Sequence, residues 1–393
     1  MLTATTPAKS RRRSRKAASA ALAAAGTLIA ATTAAGLVGA STAAATPLSH
    51  GNTAVTRSDE TPPSGSISLS ETGSSLLYPL FELWAASYHK QYSNVSITPE
   101  STGSGTGISD AESATVNIGA SDAYLSPTDL AQYPGLKNIA LAISAQMINY
   151  NIPGLSTSTH LKLDGGVLAS IYEGHITNWD DSHIASLNPG VKLPNLKIVA
   201  LHRSDSSGDT FLFSTYLSDA NPDGWGKTIS YGTSISFPSI SNALAEDGNG
   251  GMVKGCGATP GCIAYIGISY LQKTDAAHLG EAALQNRDGF FHLPNPTTVT
   301  DEAAVAYDQT PPDEALSLEY DGAAGGYPII NYEYAIIPPK EASSTDAKAV
   351  KAFLYWAIDT SGGSAPSFLN QVNFEPLPAS IAKLSAAQIA QIS

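Results

Sequence analysis

Cysteine is scarce in this sequence: the 393-residue chain contains two, Cys256 and Cys262. Both lie in the Gly/Pro-rich segment GCGATPGC, with five residues between them and no histidine nearby. Two thiols fall short of the four ligands that a structural zinc site needs, although metal binding stays an alternative. If the chain is exported, the spacing favours a local disulfide.

The sequence also lacks the motifs of common hydrolases and nucleotide-binding proteins. It has no GxSxG and no HExxH motif, and neither His89 nor His202 has a recognisable catalytic motif around it. The segment GSGTGIS lacks the lysine of a Walker A loop. We therefore expect no catalytic residues, no metal and no cofactor, with a secreted phosphatase or esterase as the alternative.

Positive charge is rare beyond the first 45 residues. Six of the 21 Lys and Arg lie between residues 9 and 16, and the first acidic residue is Asp59, so the rest of the chain has 21 − 6 = 15 basic and 34 acidic residues. Its formal net charge is 15 − 34 = −19. Such an acidic surface argues against nucleic acid and anionic membranes as partners. An anion site in this chain must draw its positive potential from local groups.

The N-terminal region has the pattern of an export signal. Basic residues precede an Ala-rich apolar run, Ala17 to Ala40, which closes near STAAATP with small residues at a cleavage-like position. We interpret residues 1–45 as a signal peptide, with a membrane anchor as the alternative and the export route undecided. No cysteine lies at the end of this signal region, so a lipoprotein is not expected. Residues 46–66, rich in Pro, Gly, Ser and Thr, predict a flexible linker.

From Ile67 onwards, short β-like segments alternate with helical ones, which is typical of an α/β fold with parallel or mixed sheets. We find no internal repeat. The predicted strands are ISLSET, NVSITPES, NIALAISAQMINYNIPG, LKIVALHR, GCIAYIGISYL and YPIINYEYAIIPP. The predicted helices are LYPLFELWAASYHKQY, VLASIYEGH, DTFLFSTYLS and DAKAVKAFLYWAI.

Three hydroxyl-rich turns share one design, in which a strand ends, a turn of Gly, Ser and Thr follows, and a helix begins. Backbone N–H groups at a helix N-terminus are unpaired and lie at the positive end of the helix dipole, so each turn is a candidate anion cradle. Each could equally serve only as a turn and helix cap. The turns are ETGSSLL, with Ser75; ESTGSGTG, with Ser104; and HRSDSSGDT, with Ser207 and Gly208.

Two charged positions sharpen this hypothesis. Arg203 offers a planar fork of donors that suits a tetrahedral oxyanion, and Asp205 could hold the fork in place, although a surface ion pair is the alternative. Asp122, in NIGASDAYLS, ends a strand-like run, where an aspartate often serves only as a turn or cap residue. A carboxylate suits an anion site only when the anion itself carries a proton to donate.

At these residues the sequence resembles the phosphate-binding proteins of ABC-type phosphate transporters. The segments that carry the resemblance follow the family's order over residues 67–380 and are closest to an actinobacterial branch, which shares the CxxxPGC loop and GDTF. They include TGSSLLYPLFELW, GSGTGI, NIGASDAYLS, LASIYEGHITNWDD and HRSDSSGDTFLFSTYLS. The resemblance implies a two-lobed, hinged type II periplasmic-binding-protein fold, in which each lobe is a mixed sheet flanked by helices and the ligand lies in the interlobe cleft.

The resemblance also assigns roles to residues of the turns. Ser75 and Leu76 would supply hydroxyl and backbone donors, although the family often has Thr-Phe there, and Ser104 would lie in the second turn. Ser207 and Gly208 would be donors of the third turn.

The charged residues receive roles in the same way. Asp122 would accept a proton from phosphate, Arg203 would donate to it, and Asp205 would pair with Arg203. Asp209 stands where the family usually has threonine, so an acceptor replaces a donor. Its carboxylate either faces the ligand or turns outward and only complements the dipole of its helix.

The resemblance further predicts lobe boundaries and partners. One lobe would comprise residues 67–142 and 326–393, and the other residues 143–325. The implied function is extracytoplasmic capture of inorganic phosphate by a monomer that delivers it to the permease subunits of an ABC importer. The alternatives are a binding protein for another tetrahedral oxyanion, such as sulfate or molybdate, and a secreted adhesin or signalling protein.

Overall fold

The computed structural model describes residues 60–393. The predicted signal peptide, and the predicted linker as far as residue 59, lie outside the described residues. Residues 60–66 contain no helix or strand. Among residues 60–393, no helix is both long enough and apolar enough to span a membrane.

Strands and helices alternate along the described residues, as the sequence predicts. The strands are β1 (Ile67–Gly73), β2 (Val95–Ser101), β3 (Ile118–Ser121), β4 (Lys137–Tyr150), β5 (Lys162–Leu163), β6 (Val199–Arg203), β7 (Ala243–Glu246), β8 (Cys262–Gly267), β9 (Gly280–Glu281), β10 (Ala283–Gln285), β11 (Phe291–His292) and β12 (Ile330–Ile337). The helices are α1 (Tyr78–Gln91), α2 (Ser104–Glu112), α3 (Pro127–Gln132), α4 (Gly165–Tyr172), α5 (Ser182–Leu187), α6 (Gly208–Ala220), α7 (Trp225–Thr228), α8 (Gly248–Ala258), α9 (Leu271–Ala276), α10 (Pro296–Ala304), α11 (Ser344–Ile358), α12 (Pro366–Val372) and α13 (Ala379–Ile389).

The core is a nine-stranded mixed sheet in the order β2-β1-β3-β12-β4-β8-β6-β7, with β9 also paired to β4. Strands β1, β2 and β3 are parallel to one another, as are β6, β7 and β8, whereas β12 and β4 run antiparallel to their neighbours. The first part of the long strand β4 pairs with β12, and its last part, from Gln146, pairs with β8. The mixed α/β class is therefore confirmed.

Helix α1 shows why the apolar spacing predicts this packing. Trp84 follows Leu80 and Phe81 by four and three residues, Tyr88 follows Trp84 by four, and all are buried, so one face of the helix points into the core. Their aromatic rings surround Phe353 of α11, at centroid distances of 5.2 to 6.2 Å. Offset and edge-to-face contacts of this kind add about 0.5–1.5 kcal/mol per pair to the apolar burial.

One predicted strand is shorter than the sequence indicates. The segment GCIAYIGISYL predicts a strand to Leu271, but β8 ends at Gly267 and a short 3₁₀ turn and α9 follow. The ladder with β4 ends at the Gln146–Gly267 pair, and the N–H of Gly267 donates to the side-chain oxygen of Asn249 at 2.8 Å. Apolar character alone does not reveal where a strand loses its partner.

The predicted disulfide between Cys256 and Cys262 is confirmed. It joins the end of α8 to the start of β8 with a Cα–Cα distance of 5.3 Å, and both cysteines are buried. The bridge fixes the helix that carries Asn249 against the strand beside it.

Candidate functional site

The three hydroxyl-rich turns lie at the carboxyl ends of parallel strands. The end of β1 leads to Ser75, the end of β2 leads to the N-terminus of α2 at Ser104, and the end of β6 leads to the N-terminus of α6. The first residues of an α-helix have N–H groups without acceptors inside the helix. The fold therefore directs these helix N-termini, and the residues just before them, towards one site.

Arg203 is the last residue of β6 and is 4% exposed. Its Nε donates to Asp205 Oδ1 at 2.7 Å, its Nη2 donates to Asp205 Oδ2, and its Nη1 donates to Asp209 Oδ2 at 2.5 Å. Burial lowers the pKa of Arg203, but the negative charges of Asp209 and Asp205 outweigh this effect and raise it above its ordinary value. These three bonds leave two of the five guanidinium N–H donors for a ligand.

Asp209 lies in the first turn of α6 and is fully buried. Its Oδ2 accepts from Arg203 and, at 2.7 Å, from Asn249 Nδ2, and its Oδ1 accepts from Gln146 Nε2 at 3.2 Å. Burial raises the pKa of this carboxyl, while the Arg203 charge and the two amide donors lower it. The alternative that Asp209 turns outward is wrong, because its side chain points inward to Arg203.

Asp122 follows the end of β3 and is 2% exposed. The hydroxyl of Ser74 donates to its Oδ1, and the hydroxyl of Ser104 donates to its Oδ2 at 3.3 Å. Burial, followed by the negative charge of Asp209, raises the pKa of Asp122, and the hydrogen bond from Ser74 opposes the shift. Asp122 is thus an acceptor at the N-termini of two helices.

The turns approach one another closely at glycine positions. The N–H of Gly105 donates to the carbonyl of Ser206 at 2.9 Å, so the second and third turns are in direct contact. A Cβ on Gly208 would lie 2.3 Å from Asp122 Oδ2 and 2.4 Å from Ser104 Oγ. Only glycine fits at position 208 in this arrangement.

The structure also locates the other residues that the sequence singles out. The Ser75 hydroxyl accepts from the Asn249 N–H at 3.1 Å and from Asn249 Nδ2 at 2.9 Å. The Leu76 N–H donates to Ser74 Oγ at 3.1 Å, and Ser207 caps α6 by accepting from the Thr210 N–H. The predicted site side chains are each at most 4% exposed, except Asp205, whose side chain is 11% exposed. Two clusters result, one around Asp122 and one around Arg203, and Gly208 lies between them.

Sequence reasoning missed several residues of the site. Asn249 links Ser75 to Asp209 through its side-chain amide and lies in the first turn of α8, after β7, within DGNGG. This is a fourth Gly-rich turn between a strand and a helix, so the same signal could have revealed it. The sequence places Ser74 in the first turn but assigns it no role. Nothing in the local sequence marks Gln146, which lies within the apolar strand β4.

No cluster of three or more His, Cys, Asp or Glu side chains that could hold a metal ion occurs between residues 60 and 393. The arrangement offers hydroxyl, amide and backbone donors, one cation paired with two carboxylates, and one further carboxylate. It can therefore recognise a small oxyanion by matched hydrogen bonds, without bulk positive charge.

Comparison with known proteins assigns the chain to a family. A family model described as a PBP superfamily domain matches residues 23–361. The phosphate-binding protein PstS of Xylella fastidiosa is 31% identical over 82% of this chain and 86% of the relative, and PstS 3 of Mycobacterium leprae is 28% identical over 86% and 92%. A high-affinity periplasmic phosphate-binding protein, solved with phosphate bound at pH 8.5, has a TM-score of 0.64 at 20% identity and covers 81% of this chain and 93% of that chain.

The solved structure has the type II periplasmic-binding fold that the resemblance implies, and the mycobacterial relative agrees with the actinobacterial branch. The share of the chain covered and the identity to the Xylella protein are enough to assign the family. The chain belongs to the PstS phosphate-binding proteins of the PBP superfamily.

Proposed function

We propose that this protein captures inorganic phosphate outside the cytoplasm and delivers it to the permease subunits of an ABC-type importer. One observation carries the proposal: the buried Asp122 carboxylate is surrounded by hydroxyl and helix N-terminal donors and faces the same site as an arginine already paired with two carboxylates. A bound anion must satisfy donors and an acceptor together. Phosphate at neutral pH does so because it keeps a proton.

In this proposal, Asp122 accepts a hydrogen bond from the P–O–H group, and the donors bind the unprotonated oxygens. Those donors are the two remaining N–H groups of Arg203, the hydroxyl of Ser75, and the N-terminal N–H groups of α6 around Gly208. The hydroxyl of Ser104 donates to Asp122, so it binds phosphate only if it turns from that carboxylate to the ligand. Sulfate and molybdate have no proton to offer at this pH. Each would place an unprotonated oxygen against the buried Asp122 carboxylate with no proton between them, at a cost of several kcal/mol.

Phosphate reaches the site only when its walls separate, since the residues that form it are almost fully buried. We propose that residues 67–142 and 326–393 form one lobe, that residues 143–325 form the other, and that the two hinge apart. What supports this division is that β4 pairs with β12 before residue 146 and with β8 after it. The contact between Gly105 and Ser206 would then be made only on closure.

The remaining parts of the proposal follow from the family and the N-terminal sequence. The protein acts as an exported monomer, binds its ligand without a cofactor and catalyses no reaction. Its relatives are named for phosphate binding, and phosphate is present in the solved neighbour.

Two assays test the proposal. Titration calorimetry of the purified protein should show tight, one-to-one binding of phosphate and no competition from equimolar sulfate. A phosphomonoester assay under the same conditions should show no turnover above a protein-free control. Equal affinity for the two anions, or measurable turnover, contradicts the proposal.

A further inference from the structure

A buried glutamate lies beside the proposed phosphate site. Glu333 lies in β12, at the centre of the nine-stranded sheet, and is 0% exposed. Its Oε1 accepts from Asn331 Nδ2 at 3.1 Å and lies 2.5 Å from Ser144 Oγ, whose single proton has a second acceptor in Asn331 Oδ1 at 2.6 Å. Asn331 Nδ2 also lies 3.3 Å from the backbone carbonyl of Asp122, so one amide ties Glu333 to the segment that carries Asp122.

The second oxygen of Glu333 has a different environment. Oε2 is buried, and within residues 60–393 no N–H or O–H group donates to it. The antiparallel register of β12 with β3 pairs Tyr334 with Ser121, so the next pair places Glu333 opposite Asp122, and the charge of that carboxyl acts on Glu333. Two buried carboxylates cannot both stay ionised in contact, so the pair must hold a proton.

The surroundings decide which carboxyl holds that proton. Burial and the charge of Asp209 raise the pKa of Asp122 to about 7, whereas the hydroxyls of Ser74 and Ser104 and the positive charge of Arg203 favour its ionised form. The charged group acting on Glu333 is Asp122 itself, and Ser144 and Asn331 are its other polar neighbours. Burial, followed by the charge of Asp122, raises the pKa of Glu333 well above its ordinary value.

We propose that Glu333 is a positioning residue that determines anion selectivity: it keeps a proton and donates it to Asp122, so that Asp122 presents an acceptor-only carboxylate to the ligand. This inference rests on the proposed phosphate site. If Asp122 held the proton itself, it could donate to sulfate, and the discrimination between the two anions would fall. Glu333 thus favours the ionised form of Asp122 and opposes the effect of burial on its pKa.

Two substitutions separate this role from a purely structural one. In Glu333→Gln the amide N–H replaces the acid as donor to Asp122, and the amide oxygen still accepts from Ser144 and Asn331. Glu333→Met has a similar length and no donor, so the pKa of Asp122 should rise and more Asp122 should be protonated. The same pair of substitutions at Glu71, a buried glutamate in β1, is the matched control for loss of a buried acid.

The first readout is competition of sulfate against phosphate in calorimetry between pH 5 and 8. Wild type, Glu333→Gln and both Glu71 variants should discriminate equally at each pH. Glu333→Met should bind sulfate about tenfold better for each unit by which the Asp122 pKa rises. Wild-type discrimination in a folded Glu333→Met overturns the inference.

The second readout needs no ligand and holds even if Glu333→Met does not fold. Infrared difference spectra at pH 7 should show that Glu333→Gln loses the carbonyl band of one protonated carboxylic acid relative to wild type. An unchanged band places the proton elsewhere and overturns the inference. If wild type shows this band but binds no phosphate, the proposed function fails while the protonation of Glu333 stands.

Discussion

Replacing Gly208 with alanine tests whether the close approach of the turns forms the binding-competent state. The added Cβ would lie 2.3 Å from Asp122 Oδ2 and 2.4 Å from Ser104 Oγ. These separations are about 1 Å below ordinary van der Waals contact. Overpacking of this kind typically costs about 1–3 kcal/mol. If the contact exists only when the lobes close over phosphate, this cost falls on binding and corresponds to about a 5- to 150-fold loss of affinity.

Gly250→Ala is the matched control. Gly250 lies in α8, as Gly208 lies in α6, but a Cβ at position 250 would meet no heavy atom of residues 60–393 within 4 Å. It should keep wild-type affinity and unfold at the same or a slightly higher temperature, since alanine favours helix by about 1 kcal/mol over glycine. Calorimetry gives the affinities, and thermal unfolding without phosphate should differ little between Gly208→Ala and wild type. Unchanged phosphate affinity in Gly208→Ala would refute the reasoning.

Three further predictions concern charge. Arg203→Ala should cost about 2–5 kcal/mol of phosphate binding in calorimetry, because it removes charge-assisted bonds and leaves Asp205 and Asp209 uncompensated. Arg203→Lys should restore only part of the affinity, and wild-type affinity in the alanine variant would show that Arg203 does not bind the ligand. Asp209→Thr should strengthen binding of the dibasic phosphate ion and flatten the pH dependence of phosphate affinity between about pH 5.5 and 8, since the site loses a negative charge and gains a donor. Parallel curves of affinity against pH for the variant and wild type would show that this carboxylate does not act on the ligand. Burial raises the pKa of Glu281 and of Glu314 to about 7, so the folded state keeps protons that the unfolded state releases, and the stability they contribute is lost as pH rises through about 7. The free energy of unfolding measured in urea should therefore fall between pH 5 and 8, and it should fall less steeply in the variant with Gln at both positions. Equal slopes in the variant and wild type would contradict this.

The parts of the site that sequence reasoning found have local signals. Glycine and serine between a strand and a helix identify Ser104 and Gly208. This signal does not depend on tertiary structure, because short-range sterics and helix capping select these residue types. Arg203 and Asp122 also have a local signal, because each is a charged residue that ends or follows an apolar strand. The order of strands and helices is likewise encoded in the spacing of apolar residues.

The missed parts depend on long-range pairing. Glu333 lies in an almost wholly apolar strand more than 200 residues from Asp122, and only the antiparallel pairing of β12 with β3 brings the two together. Gln146 donates hydrogen bonds to Asp209 because β4 packs against the start of α6. The orientation of the Asp209 side chain also depends on long-range contacts. Its position in the helix predicts a role at the N-terminus, but the side chain points inward because it pairs with Arg203, Asn249 and Gln146.

Asp122 carries the central claim, that the protein recognises an anion by the proton it keeps. The direct measurement is calorimetric competition of sulfate against phosphate in wild type and in Asp122→Asn at neutral pH. The amide can donate to an unprotonated oxygen, so the variant should gain sulfate binding by more than it loses phosphate binding. If sulfate competes no better against Asp122→Asn than against wild type, the carboxylate does not select the anion and the account is contradicted.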